Sequence, residues 1–486
     1  MKLRRGRKKF IYIIIFVLVA ALTFLGVQFF TKTGLFKVYG VVTYDESLTD
    51  EEIAALSEIF NEEIRLDKNL TIKAENRLGL ALKDNEILTA ISVVVSDFYD
   101  LNDNIDATSA DELFNSTDYT VIDFEDLSFD NKLLKINDKY FLEEFNAGAI
   151  FHVMIFESEK FEEEVKPLIA DLSYTVLTND SVLTFAQTGV TALSRGMNAK
   201  MNQVDSGEYF AEKIGDFLSG FDITHTSNES SFSSYAYSGN ICSDARFIDT
   251  LLAIGLDVVE LTGNHNVDCG DDDAIATIDT YNEHGIKYVG GGKSAEDAAK
   301  PLLLSEKGTG ITMLAYNEST GGQTYDATPG ANAYDEDNAA SEIAAAKARG
   351  DVVIVDIQYN ECTAYASTYE DPICDAADSA AGDQIGLFRS LIDMGADVVV
   401  GTSAHQPQTY ELYGNGVIYY GLGNIFFDQV WWPGTTRSLV LVHYFYNNKL
   451  IQTRIFPTVY DNNMQTELMD KETAEWFLER LQSVRP

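Results

Sequence analysis

The chain has 486 residues, of which 45% are hydrophobic and 12% aromatic, so it is long and apolar enough for two or three folded domains and is not a disordered polymer. Its 76 Asp and Glu residues against 35 Lys and Arg residues give a net charge of −41. Such an acidic surface repels phosphate backbones, which excludes nucleic acid as a partner, and it repels other polyanions unless cations or a local basic patch screen the charge.

The N-terminus predicts a membrane anchor. Residues 1–9 form a basic tail, and residues 10–30 follow without a charge, beginning at Phe10 and ending at Phe30. A run of this length spans the ~30 Å hydrocarbon core of a bilayer as a helix. Because a basic flank stays in the cytoplasm, we expect a single-pass cell-membrane protein whose bulk lies outside the cytoplasm. A cleaved signal peptide is the alternative, but the apolar run is long for one and no small-x-small site follows it.

Residues 36–178 predict a smaller α/β domain. "FKVYGVVTY" and "GAIFHVMIF" read as strands, and "SLTDEEIAALSEIFNEE" reads as a helix in which Thr49 and Glu52 have the spacing of a capping box. No catalytic constellation stands out in this segment. It therefore fits a binding role better than a chemical one.

Residues 179–461 predict a second α/β domain, and residues 462–486 predict a closing amphipathic helix. Strands such as "VLTFAQTGV", "DVVIVDIQY" and "GVIYYGLGNIFFDQ" alternate with helical segments, and polar residues recur where the strands end. Ligands of α/β sheets gather beyond the carboxyl ends of the strands. We therefore expect five strand-end loops to converge on one cleft.

The four cysteines lie in the segment expected outside the cytoplasm, where disulfides persist. Three pairings are possible, and we predict the one that joins Cys362 to Cys374 across a short loop. Metal binding by these cysteines is disfavoured, because the sequence has no Cys-x-x-Cys spacing.

Five motifs in order carry a resemblance to a known family. "TGVTALSRGM", "HTSNESSF", "LTGNHNVDCG", "VVIVDIQYNE" and the run from "GTSAH" to "YYGLGNIFFDQ" resemble the CapA family of capsule and poly-γ-glutamate synthesis proteins. That family's fold is similar to the four-layer α/β/β/α fold of calcineurin-like metallophosphoesterases. The resemblance implies synthesis, export or processing of an anionic polymer, with polyglutamate or capsule synthase subunits as partners.

The chain departs from the family pattern at three metal-ligand positions. Val190 stands where the family has the Asp of a Gly-Asp pair, and Gln358 stands where it has a strand-end His. The family's "GHHPH" loop becomes "GTSAH", which keeps its last histidine as His405. Because two metals ~3.5–4 Å apart need a bridging carboxylate, a two-metal centre is disfavoured.

A reduced metal or acid–base site remains as the prediction. A single divalent metal (Mn, Zn or Fe) has candidate ligands that the resemblance carries over, namely Glu229, Asn264, His265, Glu361 and His405. The alternative is no cofactor, with His405 or His265 relaying protons while Glu229 activates a water or an amine. Asn264 has a structural alternative, in which it braces the turn after Gly263.

Four further residues are candidate substrate contacts: Arg195, Gln358, Ser403 and Gln408. Three functions stay open, of which the third is a receptor for a soluble ligand that the N-terminal α/β module would bind. The first is a hydrolase or transferase that acts on amide or phosphoester bonds of an anionic polymer. The second is a non-catalytic polymer-binding or scaffolding subunit that keeps the fold with a degenerate site.

Overall fold

The structure is a computed structural model that describes residues 41–61, 64, 66–318, 321–359, 362 and 383–486. The predicted membrane span at residues 10–30 lies outside these residues, as do Glu361 and Cys374. Within the described part of the chain, no helix combines the length and the apolar composition that crossing a bilayer requires. The membrane anchor therefore stays a prediction.

The regular elements alternate along most of the chain. The strands are β1 (Val42–Tyr44), β2 (Leu70–Gly79), β3 (Glu86–Asp97), β4 (Asn104–Ile105), β5 (Thr120–Asp123), β6 (Asn131–Leu133), β7 (Lys135–Ile136), β8 (Ala147–Glu157), β9 (Leu183–Thr191), β10 (Ile223–Asn228), β11 (Val258–Glu260), β12 (Lys287–Val289), β13 (Gly291–Gly292), β14 (Leu302–Glu306), β15 (Thr309–Asn317), β16 (Gly330–Ala331), β17 (Val352–Gln358), β18 (Val398–Thr402), β19 (Tyr410–Tyr413), β20 (Gly416–Tyr419), β21 (Asn424–Phe426), β22 (Arg437–Tyr446), β23 (Lys449–Tyr460) and β24 (Thr466–Leu468). The α-helices span Asp50–Ile59, Ala110–Phe114, Gly196–Val204, Gly215–Leu218, Ile248–Ala253, Asp271–Glu283, Ala295–Ala298, Glu336–Arg349, Gln384–Met394 and Lys471–Ser483.

The chain divides into two compact units. Unit 1 comprises residues up to Ser92, Ala107–Asn115 and Ala149–Val176, and unit 2 comprises Val93–Asp106, Ser116–Gly148 and Leu177–Pro486. Two segments that the sequence groups with the N-terminal module, 93–106 and 116–148, thus belong to unit 2. The domain limits at 36–178, 179–461 and 462–486 stay a prediction.

Unit 1 is built on a sheet in which β1, β2, β8 and the first half of β3 are neighbours in that order. The helix Asp50–Ile59 begins with the capping box that the sequence predicts: the Glu52 amide donates to Thr49 Oγ1 at 3.2 Å, and the Thr49 amide donates to Glu52 Oε2 at 2.7 Å. Leu56 of this helix is buried with Leu70 and Ile72 of β2, so the helix forms part of the unit's core.

Unit 2 contains two large sheets. In the first, the order is β12–β11–β10–β9–β22–β23–β24, and β21 also pairs with β9. In the second, the order is β14–β15–β17–β18–β20–β19. Strands β9 to β12 run parallel, and so do β15, β17, β18 and β20, so the carboxyl ends of each parallel set share one edge.

The pattern of β17 shows how the layers arise. All seven residues of "VVIVDIQ" are buried, as expected for a parallel strand that is covered on both faces. Val352 and Ile354 pack with Phe185 of β9 between the two sheets, whereas Val353 and Val355 pack on the opposite face among residues of the helices Glu336–Arg349 and Gln384–Met394. The helix Asp271–Glu283 packs against β12 of the first sheet. Unit 2 is therefore a mixed α/β fold with two facing sheets and flanking helices.

A disulfide joins two loops at the edge where β10 and β11 end. Cys242 and Cys269 are bonded, with 5.8 Å between their Cα atoms and a sequence separation of 27. Cys362 is also disulfide-bonded. Its predicted partner, Cys374, lies outside the described residues, so that pairing stays a prediction.

Replacing both Cys242 and Cys269 with Ala is expected to lower the free energy of unfolding of unit 2 by about 2–4 kcal/mol, because the crosslink restricts the unfolded chain. Guanidinium unfolding of the full-length protein without reductant measures the change. Adding reductant should then shift the double variant much less than the wild type. A loss below about 0.5 kcal/mol would contradict the stabilising effect assigned to this bond.

Candidate functional site: a buried carboxylate at the strand ends

Glu229 lies in the first loop of the site, directly after β10. Its amide donates to Thr191 O at 2.9 Å, and its side chain is only 1% exposed. Gly263, in the loop after β11, lies against it so closely that a Cβ there would be 2.7 Å from the Glu229 Cα. Glycine at position 263 therefore allows the two loops to close over the carboxylate.

Gln358, the last residue of β17, stabilises that carboxylate from the second sheet. Its Nε2 donates to Glu229 Oε1 at 3.4 Å and to Asn264 Oδ1 at 3.3 Å, while its Oε1 accepts from Thr402 Oγ1 at 2.9 Å. The hydrogen bond from Thr402 Oγ1 to Gln358 Oε1 sets the orientation of the amide, with Nε2 as the donor towards both oxygens. An N–H group thus lies between two oxygens that the resemblance assigns to a metal.

His405 approaches the same carboxylate from the loop after β18. Its Nε2 lies 4.0 Å from Glu229 Oε2, and its Nδ1 lies 2.8 Å from Asn424 Oδ1. The Asn424 Nδ2 donates to Gln429 Oε1 and to Thr435 O, so its Oδ1 faces the imidazole and accepts the proton of Nδ1. Nε2 is then the ring atom that faces Glu229.

His265 follows Asn264 but pairs elsewhere. Its Nδ1 lies 2.7 Å from Asp268 Oδ2, and its side chain is 31% exposed. The structure thus brings four of the predicted residues together, namely Glu229, Asn264, Gln358 and His405. Asp268, which lies three residues after His265, is a partner that the candidate residues from the sequence do not include.

Arg195 lies beside this group. Its guanidinium donates to Asp428 Oδ1 through Nε at 3.1 Å and Nη2 at 2.5 Å, and it lies 4.3 Å from the centre of the Phe427 ring. The same ring is 5.3 Å from that of His405. Arg195 also has a φ of +52°, an unusual conformation for a residue with a side chain. Asp428 therefore holds Arg195 in place and neutralises most of its charge.

The two remaining substrate candidates are buried. Ser403 has a φ of +76° in the loop that leads to His405. Gln408 exchanges two hydrogen bonds with Gln384 of the helix Gln384–Met394, each at 3.0 Å. These contacts brace the loop, and contact with a substrate stays a prediction for both residues.

The donor set does not fit a two-metal centre. Val190, which replaces the carboxylate of the family, is buried in an apolar cluster with Ala192 and Phe427. Among the residues that the structure describes, no three His, Cys, Asp or Glu side chains are grouped so as to hold a metal ion. Glu229 and His405 alone fall short of the three protein ligands of a catalytic zinc site.

A second polar group lies deeper, between the sheets. His225 Nε2 is 3.0 Å from Asp356 Oδ2, and Gln187 Nε2 donates to Asp356 Oδ1 at 2.6 Å. Burial, together with the charge of Asp356, raises the pKa of Glu260 to about 7. Burial lowers the pKa of His443 to about 3. In the sequence, the sign of this buried polar group is Asp356, a charged residue inside the apolar strand "VVIVDIQ".

Residues 184–429, just over half of the chain, match the family described as Bacterial capsule synthesis protein PGA_cap. The PGA biosynthesis protein CapA of Bacillus subtilis (strain 168) is 26% identical over 333 residues, which cover 66% of this chain and 82% of that protein. The Capsule biosynthesis protein CapA of Bacillus anthracis is 27% identical over 195 residues, which cover 39% of this chain and 44% of that protein.

A Probable polyglutamine synthesis accessory protein of Mycobacterium tuberculosis is 27% identical, over 37% of this chain and 48% of that protein. The matches thus span less than half the length of the Bacillus anthracis and Mycobacterium tuberculosis relatives. Among solved structures, the NAD nucleotidase of Haemophilus influenzae has a TM-score of 0.31 at 12% identity, covering 62% of this chain and 56% of that one.

The facing sheets and the polar loops at the strand ends define a mixed α/β protein, and the family match places it in the class of capsule-synthesis proteins. The match over residues 184–429 makes the assignment specific: the chain belongs to the CapA family of bacterial capsule and poly-γ-glutamate biosynthesis proteins, as the five motifs indicate.

Glu260→Gln is expected to change how stability depends on pH. The pKa of Glu260 rises from an ordinary 4.5 to about 7 on folding, so between these values the folded state holds a proton that the unfolded state has lost. The wild type therefore loses stability as the pH rises from 4.5 to 7, and the variant lacks this loss. The pKa of His443 falls from an ordinary 6.5 to about 3 on folding. This histidine therefore lowers the stability of the folded state as the pH falls through that range.

Unfolding curves across this pH range measure the effect. Glu283→Gln, at the exposed end of the helix Asp271–Glu283, is the matched control and should leave the wild-type profile unchanged. Parallel profiles for the wild type and Glu260→Gln would contradict the assignment.

Proposed function

We propose that this CapA-family protein acts in the synthesis, export or processing of an anionic capsule polymer of the poly-γ-glutamate type. Membership of the family and the printed names of its relatives in Bacillus support the polymer class. The apolar run at residues 10–30 supports a place at the outer face of the cell membrane, where polyglutamate or capsule synthase subunits are the expected partners.

We further propose that the cleft performs acid–base chemistry on an amide bond, as a hydrolase or transferase. The observation that carries this proposal is the pairing of Glu229 with His405 Nε2 at 4.0 Å. Glu229 would accept the proton of an attacking water or amine, and His405 would donate one to the departing nitrogen. Asn424 orients the imidazole for this step, because its Oδ1 accepts the proton of Nδ1 while Nε2 faces Glu229.

Gln358 supports a mechanism that does not require a two-metal centre. Its N–H group stabilises Glu229 and Asn264 where the resemblance expects metal ligation. A single Mn, Zn or Fe ion would need a third ligand besides Glu229 and His405, and Glu361 is the candidate from the sequence. Arg195 would help to position His405, because its guanidinium packs on the Phe427 ring and that ring packs against the imidazole.

A second candidate function is polymer binding without catalysis. Two observations favour it: the Glu229 and His405 side chains are 1% and 7% exposed, and the strand-end His of the family is Gln358 here. A pair so enclosed also serves to hold the loops after β10 and β18 in place. The cleft would then position a polymer strand for synthase subunits.

Activity of the full-length protein on poly-γ-glutamate separates these functions. We expect the wild type to change the length distribution of the polymer, measured by size-exclusion chromatography and by counting new amino termini. His405→Gln and Glu229→Gln should each reduce this rate by about 100- to 10,000-fold, the range of a general acid or base. His284→Gln, at an exposed position, is the matched control and should retain the wild-type rate.

The other outcomes are equally informative. Polymer that binds but keeps its length, with equal affinity for the wild type and His405→Gln, would reject catalysis and support the binding role. A protein that neither binds nor alters poly-γ-glutamate would reject this polymer as the substrate.

A further inference from the structure

Unit 2 contains a cavity whose lining includes none of the strand-end residues of the candidate site. It lies between residues 98–104 and 132–138 on one side and β23 with the helix Lys471–Ser483 on the other. Its volume is about 470 Å³, within the range of pockets that hold small organic molecules. Glu229, His405 and Gln358 are absent from its lining.

Much of the cavity wall is apolar. The hydrophobic side chains that contribute to it come from several elements and include Phe98, Leu101, Phe456, Pro457, Met469 and Leu478. Aliphatic groups are stabilised when such a wall removes their apolar surface from water. The cavity therefore favours a ligand with an apolar body.

Two of the cations in the lining are already neutralised. Lys135 Nζ pairs with Asp103 Oδ2 at 2.5 Å. Arg454 forms an ion pair with Glu143, and its guanidinium also lies 4.3 Å from the centre of the Tyr140 ring. These groups have little charge left for a ligand.

Lys132 differs from both. Its ammonium donates to the backbone carbonyl of Asp100 at 2.6 Å, and no carboxylate of the described residues lies within 4.0 Å of it. Burial lowers the pKa of Lys132, because a charged ammonium loses hydration there. The charges of Asp103 and Asp100 oppose this shift, and those of Arg454 and Lys135 add to it.

We propose that this cavity binds a small organic monoanion, a carboxylate with an aliphatic body, whose carboxylate pairs with the Lys132 ammonium. Lys132 is half-buried, and a ligand carboxylate would supply an ion pair to its ammonium at the cavity wall. The apolar wall receives the rest of the ligand.

The acidic residues of the lining limit the charge of the ligand. Asp100, Asp103, Asp138 and Glu475 surround the same space, so each additional carboxylate on a ligand meets repulsion. A polymer with one charge per residue is disfavoured for this reason. The site therefore selects a ligand other than the polymer proposed for the cleft.

Calorimetric titration of the full-length protein in lipid nanodiscs, with protein-free discs as the blank, tests the proposal. The probes are hexanoate, hexanol, hexylamine and γ-linked triglutamate. Hexanoate should bind at least 10-fold more tightly than the others, and Lys132→Met should weaken its binding about 10- to 100-fold, as expected for a charge-assisted contact. Lys139→Met, an exposed lysine of the same segment, is the matched control.

A second measurement does not depend on the folding of a variant. An amine-acylating reagent should modify Lys132 of the wild-type protein, as followed by peptide mass spectrometry, and hexanoate should slow this modification without protecting Lys139. His405→Gln should leave both results unchanged, because the cavity is separate from the cleft. Equal binding of hexanoate and hexanol, no protection of Lys132, or tighter binding of triglutamate than of hexanoate would each overturn the proposal.

Discussion

The burial of the Glu229 carboxylate is the constraint on which the rest of the site depends. A carboxylate that is 1% exposed is stable only when hydrogen bonds and charges replace its lost hydration. Gln358 supplies the hydrogen bond from one sheet edge, and His405 supplies the nearest imidazole. Thr402 orients the Gln358 amide, and Asn424 orients the His405 imidazole. Protein groups thus replace part of the hydration that the Glu229 carboxylate loses on burial.

The alternation of side chains along a strand, with a period of two residues, explains why Gln358 reaches the site. In β17, Ile354, Asp356 and Gln358 share one face, so the strand that packs the inter-sheet core also carries Asp356 into it and presents Gln358 at its end. Asp356 is then held by Gln187 and His225 from the facing sheet. The buried group around Asp356 and the candidate site around Gln358 therefore both depend on the alternation of side chains along β17.

Patterns within short segments were predictable, and contacts between distant segments were not. The capping box at Thr49 depends on residues three apart, and the five polar strand ends depend on local pattern, so both could be read from the sequence. The hydrogen bond between Arg195 and Asp428 joins residues 233 apart in the sequence. The hydrogen bond between Asn424 and His405 depends on the pairing of β21 with β9. The cavity around Lys132 depends on segments more than 300 residues apart, which no local pattern specifies.

The account's central claim is that protein groups, rather than a pair of metals, compensate Glu229. Elemental analysis of the full-length protein after incubation with Mn, Zn or Fe tests this claim most directly, with Glu229→Gln and His405→Ala alongside. The account predicts at most one tightly held metal per chain in the wild type and no more than that in the two variants. Two equivalents of metal per chain in the wild type, lost in both variants, would contradict it.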